Sequence, residues 1–427
     1  MVFRTFDKLL FAKSESTPGT AATITTANDF FEVIEPSFSI TPLMFERFTK
    51  SQTLTPQTQT VPGASKAAPV ATCEITFGVE LAGPGTAVAT GTVPKVDTLL
   101  KACGMVASNV FKYAVSATSY SGGPFFHQES VDNADPWAAA DNTSWSCNTY
   151  GDAEFWARAA GSSATVLTGE HSEADLTLSA SAATQFGVGY YPSTSKTSPT
   201  AANTAVTLRL YVGGGAYVEA KGCKGTFDIA FTHGDRAVIN FTFTGVLASY
   251  TESGSTPVDH SYTAELPPAF LNASLKVGDD TAMVAYYAGA LFNSIGLSSG
   301  NEVTVREDTN DATGYQAAVI TGRTPTMSFN PDAVIGSTDH DFWGNFLSGT
   351  PMRMRWSVGS TAGNRVDFRV TSGQFTGIAD GERDTVSVLD STTTLTGGTF
   401  GSSIIPAQGT PSGSTFGSDN EWFMVFR

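Results

Sequence analysis

Positive charge is scarce in this chain. Its 24 lysines and arginines stand against 40 aspartates and glutamates, a net charge of −16 over 427 residues. Such a balance repels the phosphates of a nucleic acid instead of neutralising them, so tight nucleic-acid binding is excluded as the function. The same repulsion suits a surface along which DNA slides without sticking. Charge of either sign is low at 15% of residues, while glycine, alanine, serine and threonine abound. That composition argues for a turn-rich β chain and against a helical bundle. Long hydrophobic runs are missing too. The longest, Ala282 to Phe292, falls short of the ~18 residues a membrane span needs. No membrane partner is expected. The opening MVFRTFDKLLFAKSESTPGT has charges spaced through it and no apolar core of a signal peptide. Only Cys73, Cys103, Cys147 and Cys223 are present, and none forms a CxxC pair. The expectation is synthesis in a reducing cytoplasm, with all four as free thiols, small and buried.

What the chain does have is alternation. Leu208, Leu210 and Val212 alternate with Thr207, Arg209 and Tyr211, and a Gly213-Gly214-Gly215 turn follows. Ala216 to Ala220 is extended. Phe227, Ile229 and Phe231 then share one face, with Thr226 and Asp228 on the other. His233-Gly234-Asp235 turns the chain, and Ile239, Phe241 and Phe243 resume the apolar face. A period of two broken by glycine turns predicts strands with one buried face.

Outside this meander, residues 1–30 read as a Thr-rich arm, loosely structured until it meets a partner. Phe31 to Ile40 reads as a strand. Lys50 to Lys66, KSQTLTPQTQTVPGASK, reads as a long exposed loop, since it is polar, carries two prolines and shows no apolar period. Cys73, Ile75, Phe77, Val79 and Leu81 alternate with polar residues and predict a half-buried strand. Pro94 to Gly104 predicts a helix. Proline stands in its first turn, glycine at its end, and Val96, Leu99, Leu100 and Cys103 fall on one face. Residues 118–188 differ in texture. Phe125, Phe126, Trp137, Trp145, Tyr150, Phe155 and Trp156 lie among serine, asparagine and aspartate, which reads as an insertion packed on its own aromatic cluster.

The polar stretch 251–266 reads as a linker. Beyond it the grammar repeats. There is a strand at Glu302 to Glu307, a turn, and an extended stretch from Val319 to Phe329. A short helix follows within 331–349, with Phe342, Trp343, Phe346 and Leu347 apolar. Met352, Met354, Trp356 and Val358 alternate with polar residues, Val366, Phe368 and Val370 follow, and Asp380-Gly381-Glu382 reads as a turn. EWFMVF (421–426) closes the chain as a strand. The expected organisation is all-β with short flanking helices, in two tandem sandwiches covering 31–250 and 267–427.

No motif assembles a catalytic centre. Gly296-Leu297-Ser298-Ser299-Gly300 fits a hydrolase nucleophile elbow, but a strand follows where that elbow needs a helix, so it reads as a turn. The five histidines are scattered, with no i, i+4 pair and no neighbouring cysteine, which argues against zinc. Asp308, Asn310 and Asp311 before Gly314 lack the spacing of a calcium loop and read as a solvated turn. Neither enzyme activity, metal nor cofactor is expected.

Several stretches resemble one family in order along the chain. In the centre they are Tyr191-Pro192-Ser193, the strand Gly222-Cys223-Lys224-Gly225-Thr226-Phe227 and the close Phe243-Thr244-Gly245. Near the start they are Phe11-Ala12-Lys13 and Glu15-Ser16-Thr17-Pro18-Gly19, then Glu80-Leu81 leading to Pro94, Leu99, Leu100, Cys103 and Gly104. In the second half they are Gly300-Asn301 with Val303, then Asp308, Asn310 and Gly314, Thr321 to Pro325, and EWFMVF. Together these resemble the major tail tube proteins of bacteriophages with long, non-contractile tails. The insertion at 118–188 departs from the family's simplest pattern.

The resemblance implies a β-sandwich flanked by a helix, stacked as rings around a channel that carries DNA. Two tandem domains would imply trimeric rings with pseudo-sixfold symmetry. The arm and the loop would join one ring to the next, with Phe11, Lys13, Glu15, Thr53, Thr55, Gln57 and Gln59 as contact residues. The implied partners are further copies of the chain, a tape measure protein and genomic DNA in the lumen, and tail terminator and baseplate proteins. The implied location is the virion tail, assembled in the bacterial host cytoplasm. Two alternatives stay open. One is another β-sandwich virion protein, either a capsid decoration or a fibre. The other is a carbohydrate-active β-sandwich enzyme, which needs two carboxylates facing each other across a cleft.

Overall fold

A computed structural model describes residues 8–25, 29–47, 57–85, 93–116, 126–128, 144–149, 153–159, 166–171, 184–192, 204–252, 254, 265–273, 275–279, 291–333, 341–361, 363–396 and 421–426. The chain is all-β, with two short helices among the described residues.

The central meander forms as its alternation dictates. In chain order, the first-half strands are β1 (Leu9–Ser14), β2 (Phe30–Phe31), β3 (Ile34–Pro42), β4 (Met44–Arg47), β5 (Gln57–Thr60), β6 (Ala71–Glu80), β7 (Met105–Ser116), β8 (Phe126–Gln128), β9 (Ser144–Thr149), β10 (Ala153–Ala159), β11 (Val166–His171), β12 (Thr184–Pro192), β13 (Val206–Gly213), β14 (Ala216–Thr232) and β15 (Val238–Thr251). Helix α1 (Asp97–Ala102) lies between β6 and β7. Its predicted stripe is confirmed: Val96, Leu99, Leu100 and Cys103 are all buried, and Gly104 ends the turn at φ +80°. The second half supplies β16 (Lys276–Asp279), β17 (Phe292–Ser298), β18 (Asn301–Glu307), β19 (Tyr315–Arg323), β20 (Thr326–Pro331), α2 (Phe342–Ser348), β21 (Met352–Thr361), β22 (Asn364–Arg383), β23 (Val386–Leu395) and β24 (Trp422–Phe426).

Antiparallel ladders join these strands into two faces. One runs β2-β1-β13-β14-β15-β6-β3. The other runs β16-β21-β22-β24-β12-β7 and continues through β11, β10, β9 and β8. A strip of β17, β20 and β23 connects the long strands β14 and β22. The faces meet through rings. Phe227 of β14 stands edge-on to Trp422 of β24 at 5.9 Å, and Phe231 lies 4.9 Å from Phe368 and 5.5 Å from Trp356. Such tilted contacts are the preferred aromatic geometry.

This arrangement corrects the expectation of two separately cored domains. β24, at the end of the chain, pairs with β12 of the first half on one side and β22 of the second on the other. One hydrophobic cluster runs from Leu10 to Phe426. The repeated element order in the sequence reflects alternation that any sheet imposes, and it carries no information on which sheet a strand joins. Most of the 251–266 linker lies outside the described residues.

The arm is corrected as well. β1 pairs with β13 from Leu9↔Tyr211 to Ser14↔Val206, between β13 and β2. Leu10 and Ala12 enter the main core, and Phe11 enters a satellite cluster with Ile24 and Tyr211. A four-residue apolar run, LLFA, is diluted when thirty residues are averaged, yet it fills a strand buried on both faces. The insertion extends the second face through β8 to β11. The side chains of its predicted aromatic cluster lie outside the described residues. The turn expected at Asp380-Gly381-Glu382 falls later. β22 runs through it, and Arg383 pairs with Val386 across Asp384 and Thr385, both at positive φ. This is the two-residue turn that matches strand twist.

Cys73, Cys103 and Cys223 are buried free thiols. Burial pushes Cys73 up to about 12 and raises the other two as well. Cys73 pairs with Gly245, and a Cβ on Gly245 would fall 2.4 Å from the Cys223 sulfur. The two cysteines thus flank one glycine from strands two apart, roughly 9–10 Å between backbones, beyond the ~7 Å a disulfide spans. Iodoacetamide should leave these three unlabelled in native protein and label them fully after unfolding. A native Cys73–Cys223 bridge in a peptide map would contradict this placement.

Candidate functional site

The seven residues expected to join rings separate into two groups. Phe11 and Glu15 are interior. Phe11 has no exposed surface, and its ring packs 5.5 Å from that of Tyr211. Glu15 is 8% exposed. Its Oε1 accepts from the Thr207 hydroxyl at 2.8 Å and from the Gly222 N–H at 2.7 Å, and its Oε2 accepts from the Gly19 N–H at 2.7 Å. Both side chains are therefore committed inside the subunit, and neither is a contact between subunits. Lys13 is part-exposed and bridges to Asp29 at 3.2 Å. Thr53 and Thr55 lie outside the described residues.

Glu15 instead acts as an anchor. It sits where β13 begins and where the β14–β15 ladder bulges between Lys221 and Lys224. A bulge leaves backbone groups without ladder partners, and here the Gly222 N–H donates to the carboxylate. Thr207 passes the network on, accepting from the Ala22 N–H at 2.9 Å. One carboxylate thus holds segment 15–22 against two strands. Glu15→Ala would leave a buried N–H and a buried hydroxyl without an acceptor, a loss of about 3–5 kcal/mol. Urea unfolding should show it as a lowered midpoint, and a loss under about 1 kcal/mol would refute the anchor. The sequence signal was the polar Glu15 directly after an apolar strand, which a surface reading explains equally well.

Gln57 and Gln59 are both exposed. They belong to β5, which pairs with β4 from Met44↔Thr60 to Arg47↔Gln57 as a separate two-stranded sheet. All eight residues of the two strands are exposed. Among them Met44 and Phe45 are large and apolar, and the neighbouring Leu43 is exposed too. Within the predicted loop at 50–66, Gln57–Thr60 form the second strand of a hairpin, and residues 50–56 lie outside the described residues. Val61 N–H donates to Leu43 O at 3.1 Å at the base of the hairpin. A lone two-stranded ribbon is marginal in water, and an open apolar strand edge invites pairing with another chain.

The motifs set aside in the sequence have structural roles. Ser298 is a rung of β17 between Asp228 and Thr326. Ser299 is buried, and its Oγ accepts from the Phe227 N–H at 2.9 Å. Asp308 accepts from the Asn310 N–H and Asp311 from the Thr313 hydroxyl and N–H, and these bonds hold both carboxyls below their usual range. No group of three or more metal-ligating side chains occurs among the described residues. No described helix is long and apolar enough to cross a membrane.

No family model matches the chain, and no curated protein matches it. Among solved structures, the binding domain of botulinum neurotoxin DC in complex with rat synaptotagmin II is similar over 84% of this chain and 89% of that one. The identity is 7% and the TM-score 0.09, a likeness that carries no argument. The class that the fold defines is an all-β sandwich with two short helices among the described residues and a separate two-stranded hairpin whose strand residues are all exposed.

Proposed function

We propose that the chain is a structural, non-enzymatic subunit that polymerises with copies of itself into stacked rings, forming the tail tube of a long-tailed bacteriophage. The observation that supports this reading best is the β4–β5 hairpin. Among the described residues, the eight exposed strand residues pair only with each other, and Met44 and Phe45 among them are apolar, as expected of a segment that orders against a neighbouring subunit. The ordered resemblance of the sequence supports the same reading. The net charge of −16 suits a channel wall that DNA passes without binding. In this reading DNA and a tape measure protein occupy the lumen, terminator and baseplate proteins cap the ends, and the virion tail is where the protein resides. Negative-stain microscopy of purified protein should show rings or hollow tubes of uniform width. Monodisperse monomers at all concentrations, or solid fibres, would reject the proposal.

A further inference from the structure

Strand register places the exposed hairpin and a second apolar patch at opposite ends of the sandwich. Leu43 N–H donates to Val70 O at 2.9 Å, so the hairpin leaves the sheet beside the start of β6. At the other end of β6, Glu80 pairs with Val238 of β15, just past the turn between β14 and β15. β6 is ten residues long. A strand of that length spans about 30 Å.

Several turns gather at the far end. His233 N–H donates to Asn293 O, and Gly234 N–H to Phe270 O. Asp332 N–H donates to Leu291 O, and Ala333 N–H to Ser387 O. These bonds bring Leu271, Leu291 and Val386 to one end of the molecule, 50%, 65% and 48% exposed. The β22–β23 turn adds acid there. Arg383 is paired with Asp332, while Asp380, Glu382 and Asp384 are exposed.

Charge differs in sign between the two ends. Residues 43–66 carry Arg47, Lys50 and Lys66 against Glu46 alone, a cationic surplus in a chain of net charge −16. Residues 380–386 carry Asp380, Glu382 and Asp384 against Arg383. Both ends expose apolar side chains that gain by being covered, and their charges are complementary. The two cannot meet within one subunit, because the length of β6 separates them.

We propose that this acidic, apolar end receives the β4–β5 hairpin of a second copy of the chain. Such docking rests on the proposed assembly, in which the hairpin meets another subunit, and it names the surface that is met. Apolar contact falls to Met44 and Phe45 against Leu271, Leu291 and Val386, and charge contact to Arg47 against the acidic turn. A contact between two different surfaces leaves each copy with one of them still open, so it propagates head to tail instead of closing as a pair. Exposed charges add little affinity. They set which way round the copies meet.

Photocrosslinking of the assembled full-length protein decides it. With Phe45 replaced by benzoylphenylalanine, crosslinks should join position 45 of one copy to residues 269–271, 291–293 or 380–388 of another. Leu291→Ser combined with Val386→Ser should raise the concentration needed for assembly about tenfold, as loss of an apolar anchor does. The unfolding midpoint should stay unchanged, since both side chains are exposed. Crosslinks to other parts of the neighbour, or assembly of the serine pair at the parent's concentration, would overturn this docking surface while hairpin-driven assembly stands. A parent protein that stays monomeric would overturn the assembly itself, and this surface with it.

Discussion

Removing the last seven residues, 421–427, is expected to unfold the whole chain and not just its second half. Trp422, Met424 and Phe426 are 1%, 0% and 0% exposed. Truncating one such side chain to alanine typically costs about 2–5 kcal/mol, and a domain's entire stability is about 5–15 kcal/mol. Deleting all three exceeds what the fold can absorb. The loss also spreads, because β24 is the rung between β12 and β22. Without it, Tyr190 loses the Phe426 ring at 5.6 Å, Phe227 loses Trp422, and Arg323 loses its Glu421 partner at 2.7 Å. Trp422→Ala alone should lower stability by about 3–5 kcal/mol. Circular dichroism and limited proteolysis of the truncated protein test the claim. A protected fragment covering 31–250 would show two independent domains, and would overturn the single sandwich drawn from both halves.

That single sandwich is also where sequence reading and structure part. Strand identity was legible because a buried face writes itself as period two. Phe227, Ile229 and Phe231 on β14, and Met352, Met354, Trp356 and Val358 on β21, are all buried as alternation requires. Helix α1 was legible from its stripe and its flanking proline and glycine. Pairing was not legible. Nothing in EWFMVF says that one of its neighbours pairs through residues 188–190 and the other through residues 366–370, because ladder hydrogen bonds are made by backbone common to every residue. Helix α2 shows the same limit in miniature. Phe342 is buried, but Trp343 and Leu347, equally apolar, are exposed at 45% and 80%. Glu15 was legible only as a charge. Its acceptor role depends on the bulge that brings Gly222 to it, and a bulge leaves no mark that composition can show.

Excising the hairpin should abolish assembly while leaving the fold intact. Residues 44–60 carry β4 and β5, which among the described residues pair only with each other, and all eight strand residues are exposed. Removing these two strands takes no described residue from the core. The cut closes cleanly, because Val61 N–H already donates to Leu43 O at 3.1 Å, so a Gly-Gly turn bridges the ends. The excision should stop there. Further on, Tyr250 N–H donates to Lys66 O at 3.0 Å, and Val70 O accepts from Leu43 N–H at 2.9 Å, both of which hold the main sheet. Stability should change by less than about 0.5 kcal/mol, as for surface changes away from buried features. Assembly should respond very differently, because in the proposed tube an apolar, strand-forming contact repeated at every subunit would be lost at every junction. Microscopy should find no long tubes, and sedimentation should find only small species at concentrations where the parent polymerises. Normal tubes from the excised protein would refute the bridging role of the hairpin. A destabilised monomer would show that the hairpin folds back on its own subunit. The substitution pair Met44→Ser and Phe45→Ser, which keeps the backbone pairing, separates the two effects: it should weaken assembly strongly with no change in the unfolding midpoint.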